Sequence, residues 1–216
     1  MSGAAVMAQT AGQSEEAHSH DHDHDHAHSH DHAHGSDADR TAAKGYFEDD
    51  EVAMRPLSDW EGDWQSVYPY LMAGDLNPVM EHKAETGDKT AEEYRAYYET
   101  GYQTDVDRIT IEGDTVTFYR DGTPAQGRYA DDGYEILTYD KGNRGVRFIF
   151  AKTEGDAEAP AFIQFSDHII APQKADHYHL YWGDDRAALL EELTNWPTYY
   201  PSSLSKDEIV AEMTAH

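Results

Sequence analysis

An α+β fold, a small antiparallel β-barrel dressed with α-helices, is the class predicted by this 216-residue sequence. Three observations carry that expectation. Residues before Gly45 contain almost nothing that can be buried, whereas large apolar groups begin at Tyr46, Phe47, Trp60 and Trp64. From Arg108 onward, short runs alternate apolar with polar residues and meet turn residues roughly every ten positions, the signature of antiparallel hairpins. Helical patterns flank those runs on both sides. A chain of this length holds one domain with a sizeable core, not two comfortable ones.

"LSDWEGDWQSVYPYLMAGDLNPVMEHKAE" reads as two short helices. Ser58 or Asp59 caps the first, Gly74 ends it, and Asn77-Pro78 begins the second. "DKTAEEYRAYYETGY" is a clearer helix, with Asp88 or Thr90 as cap, acids in its first turn and Gly101 as its stop. Ile109 and Ile111 then alternate toward Val116 and Phe118 across Gly113-Asp114, a hairpin. Further turns are expected at Asp132-Gly133 and Gly142-Asn143, and "AFIQFSDHII" and "HYHLYWG" supply two more strands. Six or seven strands result, with "DDRAALLEEL" and "SKDEIVAEM" as closing helices.

The formal charge of −27 makes nucleic acid an improbable partner, because phosphate binding needs a basic face. Setting aside the eight acids and two bases before Gly45 leaves residues 45–216 near −21. Such a surface draws cations and repels polyanions, although solubility alone explains most of it. There is no cysteine, so a metal would be held by imidazole and oxygen, a set that suits zinc among other divalent ions. No apolar run has the length of a membrane span. Val6-Met7-Ala8 has the small-residue look of a leader cleavage site, so residues 1–8 read as a leader remnant.

Between His18 and His34 a histidine occupies every second position: His18, His20, His22, His24, His26, His28, His30, His32 and His34. With Asp, Ala, Ser and Gly between them, residues 1–44 are expected to form a disordered tail. Its imidazoles titrate near ~6.5 and are largely neutral ligands at neutral pH. Each cluster must lose chain entropy to chelate, so the expectation is several weak, exchangeable metal sites. A purification tag would be an unbroken histidine run, and this ribbon is interrupted throughout.

Five histidines lie outside the ribbon, and three of them, His168, His177 and His179, fall within one twelve-residue window. His177 and His179 are two apart on an expected strand and share a face at roughly 7 Å. The link "IIAPQKAD" suits an antiparallel return that brings His168 opposite them. Three nitrogens on one patch match a zinc site with an open fourth position. His-x-His alone arises by chance in many strands, and the third histidine is what strengthens it. Asp167 points to the opposite strand face and is not expected as a ligand. His82, beside Glu81, reads as a surface residue, and the terminal His216 as a frayed end or a secondary ligand. The tyrosines of "EEYRAYYETGY" and "WPTYY" read as packing groups over the barrel.

"LSDWEGDWQSVYPYL", "GYQTDVDRITIEG", "DGYEILTY", "GVRFIF", "IQFSDHIIAP", "HYHLYWG" and "NWPTYYPSSLSKDEIVAEM" resemble the ZinT (YodA) family of bacterial zinc- and cadmium-binding proteins. The resemblance spans residues 45–216, in order. It implies a lipocalin-like (calycin) barrel with added helices, in which Gly62-Asp63-Trp64 is similar to the Gly-x-Trp element of that superfamily. It implies Zn(II), or Cd(II) and other divalent ions, on His168, His177 and His179. It also implies a periplasmic location and a role in zinc uptake, with metal handed to the solute-binding protein of a zinc ABC transporter. Members of the family carry a cysteine pair where this chain has Gly127 and Lys152, and the histidine ribbon is outside the common domain.

Three function classes follow. A zinc-binding accessory protein, monomeric and not inserted in a membrane, is the reading preferred. A zinc-dependent hydrolase or hydratase would use the open fourth position to activate water, but no acidic residue has a spacing that marks a general base. A carrier of apolar ligands would follow from the barrel alone, and histidines in the barrel mouth argue against it.

Overall fold

The alternation of apolar residues closes a barrel in the computed structural model, which describes residues 41–191 and 193–215. Eight strands run in sequence order, each antiparallel to the next: β1 (Gly62–Ser66), β2 (Arg108–Glu112), β3 (Thr115–Arg120), β4 (Thr123–Thr138), β5 (Arg144–Gly155), β6 (Phe162–Ser166), β7 (Tyr178–Gly183) and β8 (Thr198–Pro201). β8 pairs back onto β1 through Gln65 and Tyr200, so the sheet has no free edge. The lipocalin-like barrel expected from the sequence is the fold observed.

The β2–β3 register opposes Ile109 to Phe118 and Ile111 to Val116, all fully buried. Gly113, at φ +59°, makes the turn between them, a backbone state that glycine adopts without steric cost. Inside the barrel, Trp60 stacks on Phe165 at 4.5 Å, and Trp64 meets Tyr178 edge-on at 4.7 Å. The Trp64 indole donates to the Trp60 carbonyl at 2.8 Å, which locks the Gly62-Asp63-Trp64 element under the core.

Four helices, α1 (Tyr68–Ala73), α2 (Asn77–Thr86), α3 (Ala91–Tyr102) and α4 (Lys206–Ala215), build a second core outside the barrel. Thr90 caps α3 in a reciprocal box with Glu93, at 3.2 and 2.8 Å. The end of α3 is tied to the strand that follows it in space. Asn195 donates its side-chain amide to the carbonyls of Thr100, Gly101 and Gln103, and the Trp196 amide donates to Gly101 at 2.6 Å. Trp196 then sits among Tyr97, Tyr98 and Tyr102. These tyrosines do pack, as the sequence suggests.

The differences from expectation are local. The first expected helix is interrupted: a 3-10 turn at Leu57–Trp60 gives way to β1 before α1 begins. Two aromatic, partly apolar segments, β1 and β8, thus become the strands that close the barrel, and each is too short to show alternation. Asp132-Gly133 is not a hairpin turn. It is an irregularity inside β4, where Gly133 has φ +85° and the register shifts between Asp131 and Tyr134. Gly101 lies within α3 instead of ending it, and among the described residues of "DDRAALLEEL" only Ala188–Leu190 is helical, as a 3-10 turn. Gly127 and Lys152 lie side by side, since a Cβ on Gly127 would stand 3.1 Å from Lys152 Cδ. Lys152 donates to the carbonyls of Asp156 and Ala159 at 2.8 and 2.5 Å, an electrostatic tie across the β5–β6 connection.

A methyl group on Gly101 would come 2.4 Å from the Trp196 ring. Gly101→Ala is therefore expected to destabilise the domain by about 1–3 kcal/mol through overpacking. Urea unfolding checks this; an unchanged midpoint would show that Trp196 can move aside.

Candidate metal centre

Strand alternation places the histidines. Tyr178 and Leu180 of β7 point into the barrel core, so His179 between them, and His177 one residue before the strand, face outward. The three imidazoles thus stand on the barrel's outer wall, where the helices cover it, and not in the barrel mouth. β6 and β7 pair antiparallel with Ser166 opposite His179, so the chain two residues past Ser166 returns His168 beside them. Ring centroids of the three lie 5.7, 6.1 and 6.4 Å apart, and one ligand atom from each lies within 4.8 Å of the others. An ion bonding nitrogen at about 2 Å would draw them closer by side-chain rotation alone.

Each imidazole is held differently. His179 is opposite Thr198 on β8, and its Nδ1 lies 2.7 Å from the Thr198 hydroxyl. That hydroxyl donates its one proton to the Trp196 carbonyl at 3.0 Å, so it accepts from His179. Nδ1 then carries the proton, and the Nε2 lone pair is the one free to ligate. Burial, reinforced by His168, His177 and Arg147 nearby, holds the His179 imidazole well below its ordinary pKa and therefore neutral. The His177 ring stacks on Tyr200 with 5.1 Å between centroids and a 10° tilt.

His168 has no strand to hold it. Its backbone is left-handed, φ 66°, which costs a non-glycine residue roughly 1–3 kcal/mol. The neighbouring residues supply the restraint. Asp167 is buried and accepts from Arg55 Nη1 at 2.5 Å, from the Trp60 indole at 3.1 Å and from the Ile169 amide at 3.2 Å. Arg55, also fully buried, lies 4.1 Å above the Trp60 ring and donates to the carbonyls of Ile169 and Gln173. Asp59 pairs with Arg55 Nε at 3.0 Å and accepts the Gln173 amide at 2.9 Å. The turn carrying His168 is thus fastened to the 3-10 turn at Leu57–Trp60 by the Arg55 guanidinium together with the Trp60 indole and the Asp59 carboxylate. Burial pushes the Asp167 carboxyl up, and Arg55 pulls it back down.

His82 is exposed on α2 near Glu85, remote in role from this cluster. The nine ribbon histidines and His216 lie outside the described residues. Sequence reasoning did not reach Arg55, Thr198 or Tyr200. Thr198 and Tyr200 carry a usable signal, since they alternate on the strand that pairs with the histidine strand. Arg55 carries none, because only the folded chain brings it to residue 167.

Removing Arg55 would leave the buried Asp167 and the half-buried Asp59 without their cation. Arg55→Met is expected to cost about 3–5 kcal/mol of stability by thermal or urea unfolding. Thr198→Val removes the acceptor that fixes the His179 tautomer. It is expected to weaken metal affinity about 10–100-fold by titration, with little change in unfolding midpoint. Equal metal affinity in Thr198→Val and the native chain would refute the tautomer assignment.

Comparison with known proteins agrees with this geometry. Residues 38–216 match the ZinT (YodA) periplasmic lipocalin-like zinc-recruitment family. The chain is 62% identical over 174 residues to a probable metal-binding protein, YrpE, of Bacillus subtilis, covering 80% of this chain and 69% of that one. It is 54% identical over 185 residues to zinc-binding protein AdcA of Streptococcus pyogenes, covering 83% of this chain and 36% of AdcA. The chain therefore spans about a third of AdcA's length. The crystal structure of the Zn(II)-bound ZinT-like domain of Streptococcus pneumoniae AdcA superposes with a TM-score of 0.78 at 50% identity, covering 81% of this chain and 98% of that domain. Full-length Zn(II)-bound AdcA from the same organism gives a TM-score of 0.79, covering 82% of this chain and 39% of that one. These relatives are named for metal binding and not for catalysis. By sequence and by fold, the chain belongs to the ZinT (YodA) family of periplasmic lipocalin-like zinc-recruitment proteins.

Proposed function

We propose that this chain is a zinc-collecting accessory protein of the extracytoplasmic space, which binds Zn(II) as cargo through His168, His177 and His179. The observation that carries the reading is the donor set. Three imidazole nitrogens within 4.8 Å of one another, one with its tautomer set for Nε2 ligation, suit a tetrahedral N-site with one position left for exchange. Cd(II) and other divalent ions compete for the same donors. The recipient is the solute-binding protein of a zinc ABC transporter. The chain acts as a monomer without membrane insertion, in keeping with the absence, among the described residues, of any helix long and apolar enough to cross a membrane. Catalysis is not part of the reading: Asp167, beside His168, has both oxygens committed to Arg55, Trp60 and Ile169, and Asp176, beside His177, is exposed.

Within this reading the ribbon His18–His34 and the terminal His216 are secondary, weaker donors. Thr41, the first described residue, lines the same cavity as the three histidines. On this reading, covalent linkage of the ribbon to the domain raises the local supply of ions to the tight site.

Replacing His168, His177 or His179 with Ala is expected to weaken the tightest zinc site sharply, as read by isothermal titration, while the fold persists. Zinc is also expected to raise the melting temperature of the native chain, since a ligand of the native state stabilises it by mass action. A triple-alanine variant that keeps its tightest site would overturn the assignment. Replacing the nine ribbon histidines with Ser is expected to lower the number of ions bound and leave the tight site's dissociation constant nearly unchanged. Acidification works in the same order: ribbon imidazoles become cations below about pH 6.5 and release metal first. Loss of the tight site on ribbon replacement would mean that the ribbon supplies one of its ligands.

A further inference from the structure

The cavity in front of the histidines is far larger than an ion needs. Its volume is about 600 Å³, within the range of roughly 300–1,000 Å³ typical of small-molecule sites, whereas one water needs only about 10–15 Å³ on the same kind of measure. The cavity wall is polar in a specific way. Tyr98 and Tyr102 from α3 and Tyr200 from β8 line it. Tyr102 and Tyr200 are only 6% and 4% exposed, yet their phenols, like that of Tyr98, have no hydrogen-bond partner among the described residues. These hydroxyls are not sealed away as the unpartnered Tyr178 hydroxyl is; they open onto the cavity, where each can donate to an acceptor that enters it.

Charge points the same way. Lys83 of α2 lines the cavity, lies 5.7 Å from the Tyr98 ring and has no acidic partner among the described residues, in a chain with 43 acids and only 16 bases. Neutral imidazoles leave a divalent ion's charge of two uncompensated, and Arg55 already neutralises the buried Asp167. Asp176 and Glu212 also line the cavity, but both are exposed and sit at its rim. An anion between the ion and Lys83 would meet both positive centres and the open phenols.

We propose that the cavity binds a small carboxylate anion together with the metal, one oxygen on the ion's fourth position and the rest of the ligand against Tyr102, Tyr98, Tyr200 and Lys83. The cargo is then a metal–carboxylate unit, not a bare ion. Burial holds the Tyr102 phenol protonated across the physiological range, so it serves as a donor. The inference rests on zinc binding by the three histidines, and its test separates the two.

Full-length protein is titrated first with zinc and then, zinc-loaded, with succinate, followed by calorimetry and by the visible spectrum of the cobalt-substituted form. Succinate is expected to bind the loaded protein and not the metal-free one. Tyr102→Phe, which removes no hydrogen bond within the protein, and Lys83→Met are each expected to lower succinate affinity about tenfold, with zinc affinity unchanged. Equal succinate affinity in both variants would overturn the proposal, because the anion would then rest on the ion alone. So would an absence of succinate binding in the millimolar range. Succinate binding that appears only after the ribbon histidines are replaced would also overturn it, by showing that the chain's own imidazole fills the place. Failure to bind zinc at all would instead overturn the functional reading beneath it.

Discussion

A buried guanidinium fixes where the metal centre can form. Two of the three histidines are placed by strand pairing, which fixes side-chain direction at every second residue. The third, His168, lies beyond the end of its strand in a left-handed backbone state that its own sequence disfavours. Arg55 binds Asp167 on one side of it and the carbonyls of Ile169 and Gln173 on the other. Because both charges are buried, this pair contributes specificity of placement more than net stability. At the centre of the bonds that hold this turn to the rest of the domain is one ion pair between residues 112 positions apart.

The helical layer serves the centre in a comparable way. The end of α3 anchors Asn195 and Trp196, the Trp196 carbonyl accepts from the Thr198 hydroxyl, and Thr198 orients His179. A chain of contacts of ordinary strength thus runs from a helix terminus to a ring nitrogen. The same helices wall the cavity with tyrosines, so one element both positions a ligand and shapes the space in front of it. A site held from behind and open in front suits cargo that must enter and leave, whereas a structural zinc site would be closed by a fourth protein ligand.

Much of this was legible in the sequence. The period-two alternation at Ile109, Ile111, Val116 and Phe118 marks the hairpin, and the spacing of His168, His177 and His179 points to the imidazole cluster that the fold brings together. β1 and β8 were missed because their side chains are dictated by what they close against and not by alternation. The apparent turn at Asp132-Gly133 misled because glycine at positive φ serves a bulge as readily as a turn. The placement of the histidines outside the barrel followed from Tyr178 and Leu180, whose inward direction needs the closed sheet to be recognised. Arg55 could not be found at all, since its role lies entirely in tertiary contact. The tyrosines were read as packing groups, which they are. That their hydroxyls face a cavity is visible only once α3 is docked.

X-ray absorption at the zinc edge, on full-length protein carrying one equivalent of zinc, tests the central claim most directly. Three imidazole nitrogens and one oxygen donor at about 2.0 Å are expected, and this shell should be lost when His168, His177 and His179 are replaced by Ala. A six-coordinate shell, or one unchanged in that triple variant, would contradict the account.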